Sequence, residues 1–157
     1  MPEVRLLVPA EWEVWRDLRL RSLADSPDAF GSTLFRELAF AETDWRDRLR
    51  SMPVVAFVDG VPVALGGGYR IEPGWVQVVA MWTAPEHRGQ GLAGLVLDLV
   101  VQTARLEDRR VALEVTRDNG PARAAYERYG FVATGASSPL REGSDVVTDE
   151  MVLPRST

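Results

Sequence analysis

The sequence predicts a single domain of the α/β or α+β class, in which helices interrupt a mixed sheet. Two observations favour this class. The chain of 157 residues is close to the commonest size of one domain, and no repeat, low-complexity tract or linker divides it. Stretches with the period of a strand also alternate with stretches that have the period of a helix. We therefore expect residues 1–157 to form one domain around one core.

The first part of the chain predicts a strand followed by two helices. The apolar run at residues 4–8 ends at a proline and predicts the strand. Helical spacing then extends over residues 11–24 and again over residues 34–50. Arg19 and Arg21 lie in the first of these helices and are expected on its solvated face.

The middle of the chain predicts three successive strands. Residues 54–58 and 61–69 form a predicted hairpin, because the Asp-Gly dipeptide between them is a strong turn signal. Three consecutive glycines at residues 66–68 predict a bulge or a close backbone approach. Residues 75–83 predict the third strand.

The last part of the chain predicts two helices and three strands. One helix begins at Leu92, where apolar residues recur every three or four positions. The other covers residues 120–129, because Asn119 before it and Gly130 after it are typical capping residues. The strands are expected at residues 111–116, 131–134 and 146–153.

The composition excludes several classes of function. The chain has no cysteine and a single histidine, so disulfides, thiolate chemistry and a histidine metal cluster are not expected. A net charge of −5 gives no reason to expect binding to nucleic acid or to a membrane. No secretory signal or bilayer-spanning segment is evident, so we expect a cytoplasmic protein.

The segment between residue 83 and the helix that begins at Leu92 predicts an anion-binding loop. Gly89 and Gly91 lack Cβ atoms and can bring the backbone close to a ligand, while N–H groups at the helix start attract an anion. Arg88 adds a positive charge, so the loop is a candidate diphosphate site. Two alternatives are a plain strand-to-helix turn and a Rossmann dinucleotide fingerprint, since residues 89–94 also fit G-x-G-x-x-G.

A second segment distinguishes between these interpretations of the glycine loop. Residues 119–131 fit the pattern N-x-x-A-x-x-x-Y-x-x-x-G-F, and residues 88–93 fit R/Q-x-x-G-x-G/A. In this order, with one helix and one strand between them, the two segments resemble the acetyl-CoA-binding signatures of the GCN5-related N-acetyltransferase (GNAT) family.

The resemblance implies a fold and a cofactor site. The fold is a mixed, mainly antiparallel sheet of about seven strands with about four helices on both faces. The acetyl-pantetheine arm of acetyl-CoA would lie along the strand before the loop, and the loop would bind the pyrophosphate. The implied cofactor-binding residues are Met81, Trp82, Thr83, Arg88, Gly89, Gln90, Gly91, Leu92, Ala93, Asn119 and Tyr126.

Tyr126 and Glu114 are the candidate catalytic residues. A phenol with a pKa near ~10 can protonate a departing thiolate, and the resemblance implies that Tyr126 stands beside the sulfur. Packing against the sheet is the alternative role for this tyrosine. The spacing from Glu114 to Tyr126 is similar to that in ribosomal-protein N-terminal acetyltransferases, where this glutamate is the base. Glu72 and the backbone with ordered water are the alternatives to Glu114.

The resemblance implies direct acetyl transfer to a primary amine in a ternary complex, without a metal. A covalent acetyl-enzyme is not expected, since the chain lacks cysteine and a Ser-His-Asp grouping. The resemblance further implies that the acceptor is a small-molecule or peptide amine and that the first two helices and the turn at residues 28–33 form the acceptor wall. A regulatory domain that binds acetyl-CoA without catalysis is the alternative. An exposed edge strand near the C-terminus would allow a homodimer.

Overall fold

A computed structural model describes residues 1–155, which contain five α-helices, three short 3-10 turns and one seven-stranded sheet. The strands are β1 (Glu3–Leu6), β2 (Val54–Val58), β3 (Val61–Ile71), β4 (Trp75–Thr83), β5 (Arg110–Thr116), β6 (Val132–Pro139) and β7 (Val147–Leu153). The helices are α1 (Trp12–Asp25), α2 (Leu34–Leu38), α3 (Glu42–Arg48), α4 (Leu92–Leu106) and α5 (Gly120–Tyr129). None of the helices in this part of the chain is long and apolar enough to cross a membrane.

The sheet has the strand order β1-β2-β3-β4-β5-β7-β6. Each neighbouring pair is antiparallel except β4 and β5, which are parallel and are joined by α4. This mixed, mainly antiparallel sheet confirms the predicted fold class. It excludes the Rossmann alternative, whose sheet is mostly parallel.

The second predicted helix is divided into α2 and α3, and each of the two begins with its own cap. The Thr33 hydroxyl accepts a hydrogen bond from the N–H of Arg36 at 3.2 Å and begins α2. The Asp44 carboxylate accepts the N–H of Ala41 at 2.9 Å and begins α3. The prediction of one continuous helix was therefore wrong, and the number of helices is five rather than about four.

Helices cover both faces of the sheet, and the glycine run in β3 allows α4 on one face and the connection after α3 on the other to approach closely. At Gly66, an added Cβ would lie 2.7 Å from Cγ1 of Val96 in α4. At Gly67, which faces the other way, an added Cβ would lie 2.9 Å from the carbonyl oxygen of Ser51. Helix α1 packs against β3 and β4. The expectation of a close backbone approach at this run is thus confirmed.

β4 and β5 pair only at their starts. Residues 75–78 of β4 pair with residues 110–113 of β5. Beyond these positions, β4 pairs with β3 alone and β5 with β7 alone. The two strands therefore diverge toward their C-terminal ends and open a gap in the middle of the sheet.

A bulge lies in β4 beside this gap. Leu65 of β3 pairs with Trp82 and Gly67 pairs with Val79, so β4 has one extra residue between these pairs. Ala80 occupies this stretch with a φ of 61°, a left-handed conformation that is uncommon for a residue with a side chain. The bulge interrupts the regular hydrogen-bond ladder of β4 in the part of the strand that no longer pairs with β5.

β6 forms one edge of the sheet and is exposed along all eight of its residues. The exposed edge strand expected near the C-terminus is therefore present. Pairing of two subunits through this edge stays a prediction.

Candidate active site

A cleft of about 350 Å³ lies at the gap between β4 and β5. Ala80 and Met81 of β4, Glu114 of β5 and Tyr126 of α5 line it. Its far wall is formed by α1 and by the turn at residues 29–32. The cleft brings the two predicted catalytic residues together and extends to the predicted acceptor wall.

The end of β4 offers backbone groups to this cleft. The pairing with β5 ends at Val78, so the N–H groups of β4 that point toward β5 beyond that residue have no strand partner there. The side chain of Met81 packs toward Val96 on the α4 face, and Trp82 is buried. Whatever binds along the end of β4 therefore meets mainly its backbone.

The glycine loop has the geometry of an anion site. Gly89 and Gly91 have φ values of 79° and 78°, and nothing lies within 4 Å of a Cβ added at either position. Within residues 1–155, none of the N–H groups of residues 89–94 donates a hydrogen bond to the protein. The first turn of α4, whose Leu92 is buried in the core, therefore presents free N–H groups to open space.

The polar side chains of this loop bond to other protein groups. Arg88 donates to the Asp25 carboxylate at 2.7 Å and to the Thr83 carbonyl oxygen at 3.0 Å. Gln90 lies 3.3 Å from Nδ1 of His87. The charge of Arg88 is thus compensated by Asp25, and the free backbone N–H groups are the stronger feature for an anion.

Asp25, the last residue of α1, joins three parts of the molecule through one oxygen. Its Oδ2 accepts hydrogen bonds from Ser26 at 2.7 Å, from the indole of Trp82 at 2.9 Å and from Arg88 at 2.7 Å. These hydrogen bonds, with that from Ser26 first, lower the pKa of the Asp25 carboxyl to about 2. The contacts fix the end of α1 to the end of β4 and to the glycine loop.

α5 positions Tyr126. The helix begins where the Asn119 side chain accepts the N–H of Ala122 at 3.2 Å, which confirms the predicted cap. The ring of Tyr126 is half-buried, with its centroid 6.0 Å from that of Phe131 in an edge-to-face contact. Burial raises the pKa of the Tyr126 phenol to about 12, and its hydroxyl has no hydrogen-bond partner in the described chain. The phenol is therefore protonated at neutral pH and free to donate.

Glu114 is an exposed carboxylate in the cleft. Among residues 1–155 it has no ion-pair partner, and Glu150 of β7 lies opposite it in the strand register. Glu72 instead lies in the turn between β3 and β4, where Arg109 donates to it at 2.6 Å. Glu72 does not line the cleft, so its position does not support the alternative base.

Arg19 is buried, and the expectation of a solvated face was wrong for this residue. Its residue surface is 9% exposed, and it donates through Nε and Nη2 to both oxygens of Glu37, each at 3.1 Å. The guanidinium also lies 4.7 Å from the ring centroid of Phe30. The sequence contained a signal for this burial. The apolar residues Trp15 and Leu23 lie four positions before and after Arg19, so all three share one helix face, and both apolar residues are buried.

Comparison with known protein families identifies the class of protein to which this fold belongs. A model of the acetyltransferase (GNAT) family matches residues 12–131, which is more than half of the chain. The chain belongs to this family.

Known relatives are similar to parts of the chain. An acetyltransferase of Agrobacterium fabrum is 34% identical over 73 residues, which are 46% of this chain and 53% of that protein. Streptothricin acetyltransferase of Streptomyces lavendulae is 39% identical over 62 residues, which are 39% of this chain and 33% of that protein. The chain thus matches about half of the length of the first relative and a third of the second.

Solved structures share the whole fold. The structure of yncA from Salmonella typhimurium, solved with its cofactor acetyl-CoA, has a TM-score of 0.79 and 14% sequence identity to this chain. The similarity covers 100% of this chain and 97% of that one. At this identity the likeness concerns the fold.

Proposed function

We propose that this protein transfers the acetyl group of acetyl-CoA to a primary amine by direct transfer in a ternary complex. The observation that carries the proposal is the cleft at the gap between β4 and β5. The cleft contains the unpaired end of β4, a protonated phenol and a free carboxylate. The free N–H groups at the start of α4 lie outside its lining, in the segment that follows β4 in the chain. Membership of the acetyltransferase family and the names of the relatives support the same activity.

The residues around the cleft fit acetyl-CoA. The free N–H groups of residues 89–94 and the open space at both glycines suit the pyrophosphate, and Arg88 holds this loop against the end of β4. The backbone of residues 81–83 would bind the acetyl-pantetheine arm. A backbone N–H there, on the side that β5 has left, would stabilise the negative charge that develops on the thioester oxygen.

Glu114 and Tyr126 supply the proton transfers. An amine with a pKa near ~10.4 is almost wholly protonated at neutral pH, so Glu114 removes a proton, directly or through water. The neutral amine nitrogen then forms a bond to the thioester carbon, the carbon–sulfur bond breaks, and the second proton of the nitrogen passes to solvent. Tyr126 donates its proton to the departing thiolate, and the tyrosinate is reprotonated from solvent.

Two measurements test this function. Acetyl-CoA should raise the melting temperature of the protein and NAD should not, because a ligand that binds only the native state stabilises it. Release of CoA should then be assayed with a panel of amines that includes amino acids, polyamines, peptides and streptothricin, with the product identified by mass. Stabilisation by acetyl-CoA without acetylation of any amine would instead favour a regulatory domain.

A further inference from the structure

Two buried polar atoms on the α1 side of the cleft have no hydrogen-bond partner in the described chain. They are Nη1 of Arg19 and the hydroxyl oxygen of Ser32. Both residues line the cleft, and the Arg19 side chain is 11% exposed. Buried polar groups are nearly always hydrogen-bonded in native proteins, so these two atoms point to a group that binds beside them.

The hydrogen-bonding capacity of the two atoms indicates which chemical group can bind beside them. Nε and Nη2 of Arg19 are engaged by Glu37, but Nη1 carries two further N–H donors on the other edge of the guanidinium. The Ser32 hydroxyl can donate as well. A protonated amine has only donors and cannot satisfy Arg19, whereas a carboxylate has only acceptors and matches both residues.

The charges of the cleft favour a ligand with two opposite charges. Glu37 compensates Arg19, but Arg48 also lines this side and forms no ion pair in residues 1–155. The α1 side thus keeps one uncompensated positive charge. Glu114 on the β5 side is an unpaired carboxylate that also lines the cleft.

The turn that carries Ser32 is held firmly in place. Arg141, after β6, donates to the carbonyl oxygens of Phe30 and Pro27, each at 3.3 Å. A Cβ added at Gly31 would lie 3.1 Å from the carbonyl oxygen of Leu140, so the turn packs directly on the connection between β6 and β7. The hydroxyl of Ser32 is therefore held beside the cleft before any ligand binds.

We propose that the acceptor is a small amine that also carries a carboxylate, such as a free amino acid. Its carboxylate binds Nη1 of Arg19 and the hydroxyl of Ser32, with Arg48 adding attraction, and its amine lies toward Glu114. This proposal rests on the acetyl-transfer function proposed above and names its substrate class.

Matched sets of amines test the proposal. Each set contains a free amino acid, its carboxamide and the amine that lacks the carboxyl group, and CoA release is measured with the mass of each product. The acid of the best set should have a kcat/KM at least about tenfold above that of its amide, because only the acid presents two anionic oxygens.

Two variants and their controls locate the carboxylate site. Arg19→Lys keeps a cation for Glu37 but removes the Nη1 donors, and Ser32→Ala removes the hydroxyl. Each should raise KM for the acid about tenfold, with a smaller change in kcat and little change for the amide. Arg16→Lys on the same helix and Ser137→Ala on β6 do not line the cleft and should leave the preference intact. If Arg19→Lys does not fold, Ser32→Ala with its control still decides.

The possible outcomes are distinct. Equal kcat/KM for acid and amide in the wild-type protein would overturn the carboxylate proposal, and a preference for amides and dipeptides would assign a peptide acceptor. A preference for the acid that neither variant reduces would overturn the assignment to Arg19 and Ser32. If no amine of any kind is acetylated, the acetyl-transfer function itself fails, and the substrate class with it.

Discussion

The two sides of the proposed active site are built by different means. The proposed cofactor side consists mainly of backbone: the bulged end of β4, which lines the cleft, and beyond it the left-handed glycines at 89 and 91 and the first turn of α4. The proposed acceptor side consists of side chains from α1, α2 and the turn between them, and it includes the Arg19–Glu37 pair. Backbone groups are common to all sequences, so a site built from them can bind the same cofactor in many related proteins. A site built from side chains can change its ligand when one residue is replaced. We therefore expect the specificity for the acceptor to depend on the side chains of α1, α2 and the turn between them.

The largest expected effect is the loss of turnover when Tyr126 of α5 is substituted. Tyr126→Phe keeps the ring and removes the hydroxyl, so turnover should fall by ~10²–10⁴-fold while acetyl-CoA affinity stays the same. Tyr129→Phe is the matched control, because its hydroxyl donates to Asp98 at 2.7 Å and does not line the cleft. CoA-release kinetics of both variants check this prediction, and full activity of Tyr126→Phe would refute its role as the acid.

The next effect is on the stability of the acceptor side. Glu37→Ala leaves the buried Arg19 without its partner and should lower the free energy of unfolding by about 3–5 kcal/mol. Glu42→Ala removes an exposed partner of Arg46 on α3 and should cost only about 0.3–0.5 kcal/mol. Urea unfolding measures both values. Similar losses in the two variants would mean that Arg19 is not held as a buried pair.

A smaller effect is expected on cofactor affinity. Gly91→Val puts a side chain into the open space beside the free N–H groups of α4 and should weaken acetyl-CoA binding at least about tenfold. Gly60→Val is a matched control, because Gly60 has nearly the same φ, 79° against 78°, and equally open space, but lies in the turn between β2 and β3. Calorimetric titration of both variants separates backbone strain from loss of the site. An unchanged affinity in Gly91→Val would refute the placement of the pyrophosphate.

The smallest effect concerns Asp25, which connects the two sides. Asp25→Asn removes the charge that pairs with Arg88 and should lower stability by about 0.2–1 kcal/mol near neutral pH. The pKa of Asp25 is lowered from 3.8 to about 2, so its contribution is present above about pH 4 and is lost as the pH falls toward 2. Urea unfolding of both proteins should show the difference shrinking over that range. A difference that persists at the lowest pH would assign the effect to packing instead.

The sequence predicted the local structure of the glycine loop and of α5 much better than the packing of α1, α2 and α3, and the reason is physical. Left-handed glycines, a helix cap at Asn119 and strand periodicity are local features, and each is visible within a few residues of sequence. The Arg19–Glu37 pair joins residues 18 positions apart on two helices, and the break between α2 and α3 depends on one cap at Asp44. Such contacts depend on tertiary packing, so the sequence alone indicated a solvated arginine and one continuous helix.

The most direct test of the account is the pH–rate profile of Glu114→Gln with an amine that the wild-type protein acetylates. If Glu114 is the base at the gap between β4 and β5, the defect in kcat/KM should shrink as the pH rises toward the amine pKa of ~10.4, where free amine is abundant. Glu150→Gln, opposite Glu114 in the register but outside the cleft, is the control and should show a small, pH-independent change. A defect in Glu114→Gln that is constant across the pH range would contradict the account, because it would assign Glu114 to substrate binding or structure instead of proton removal.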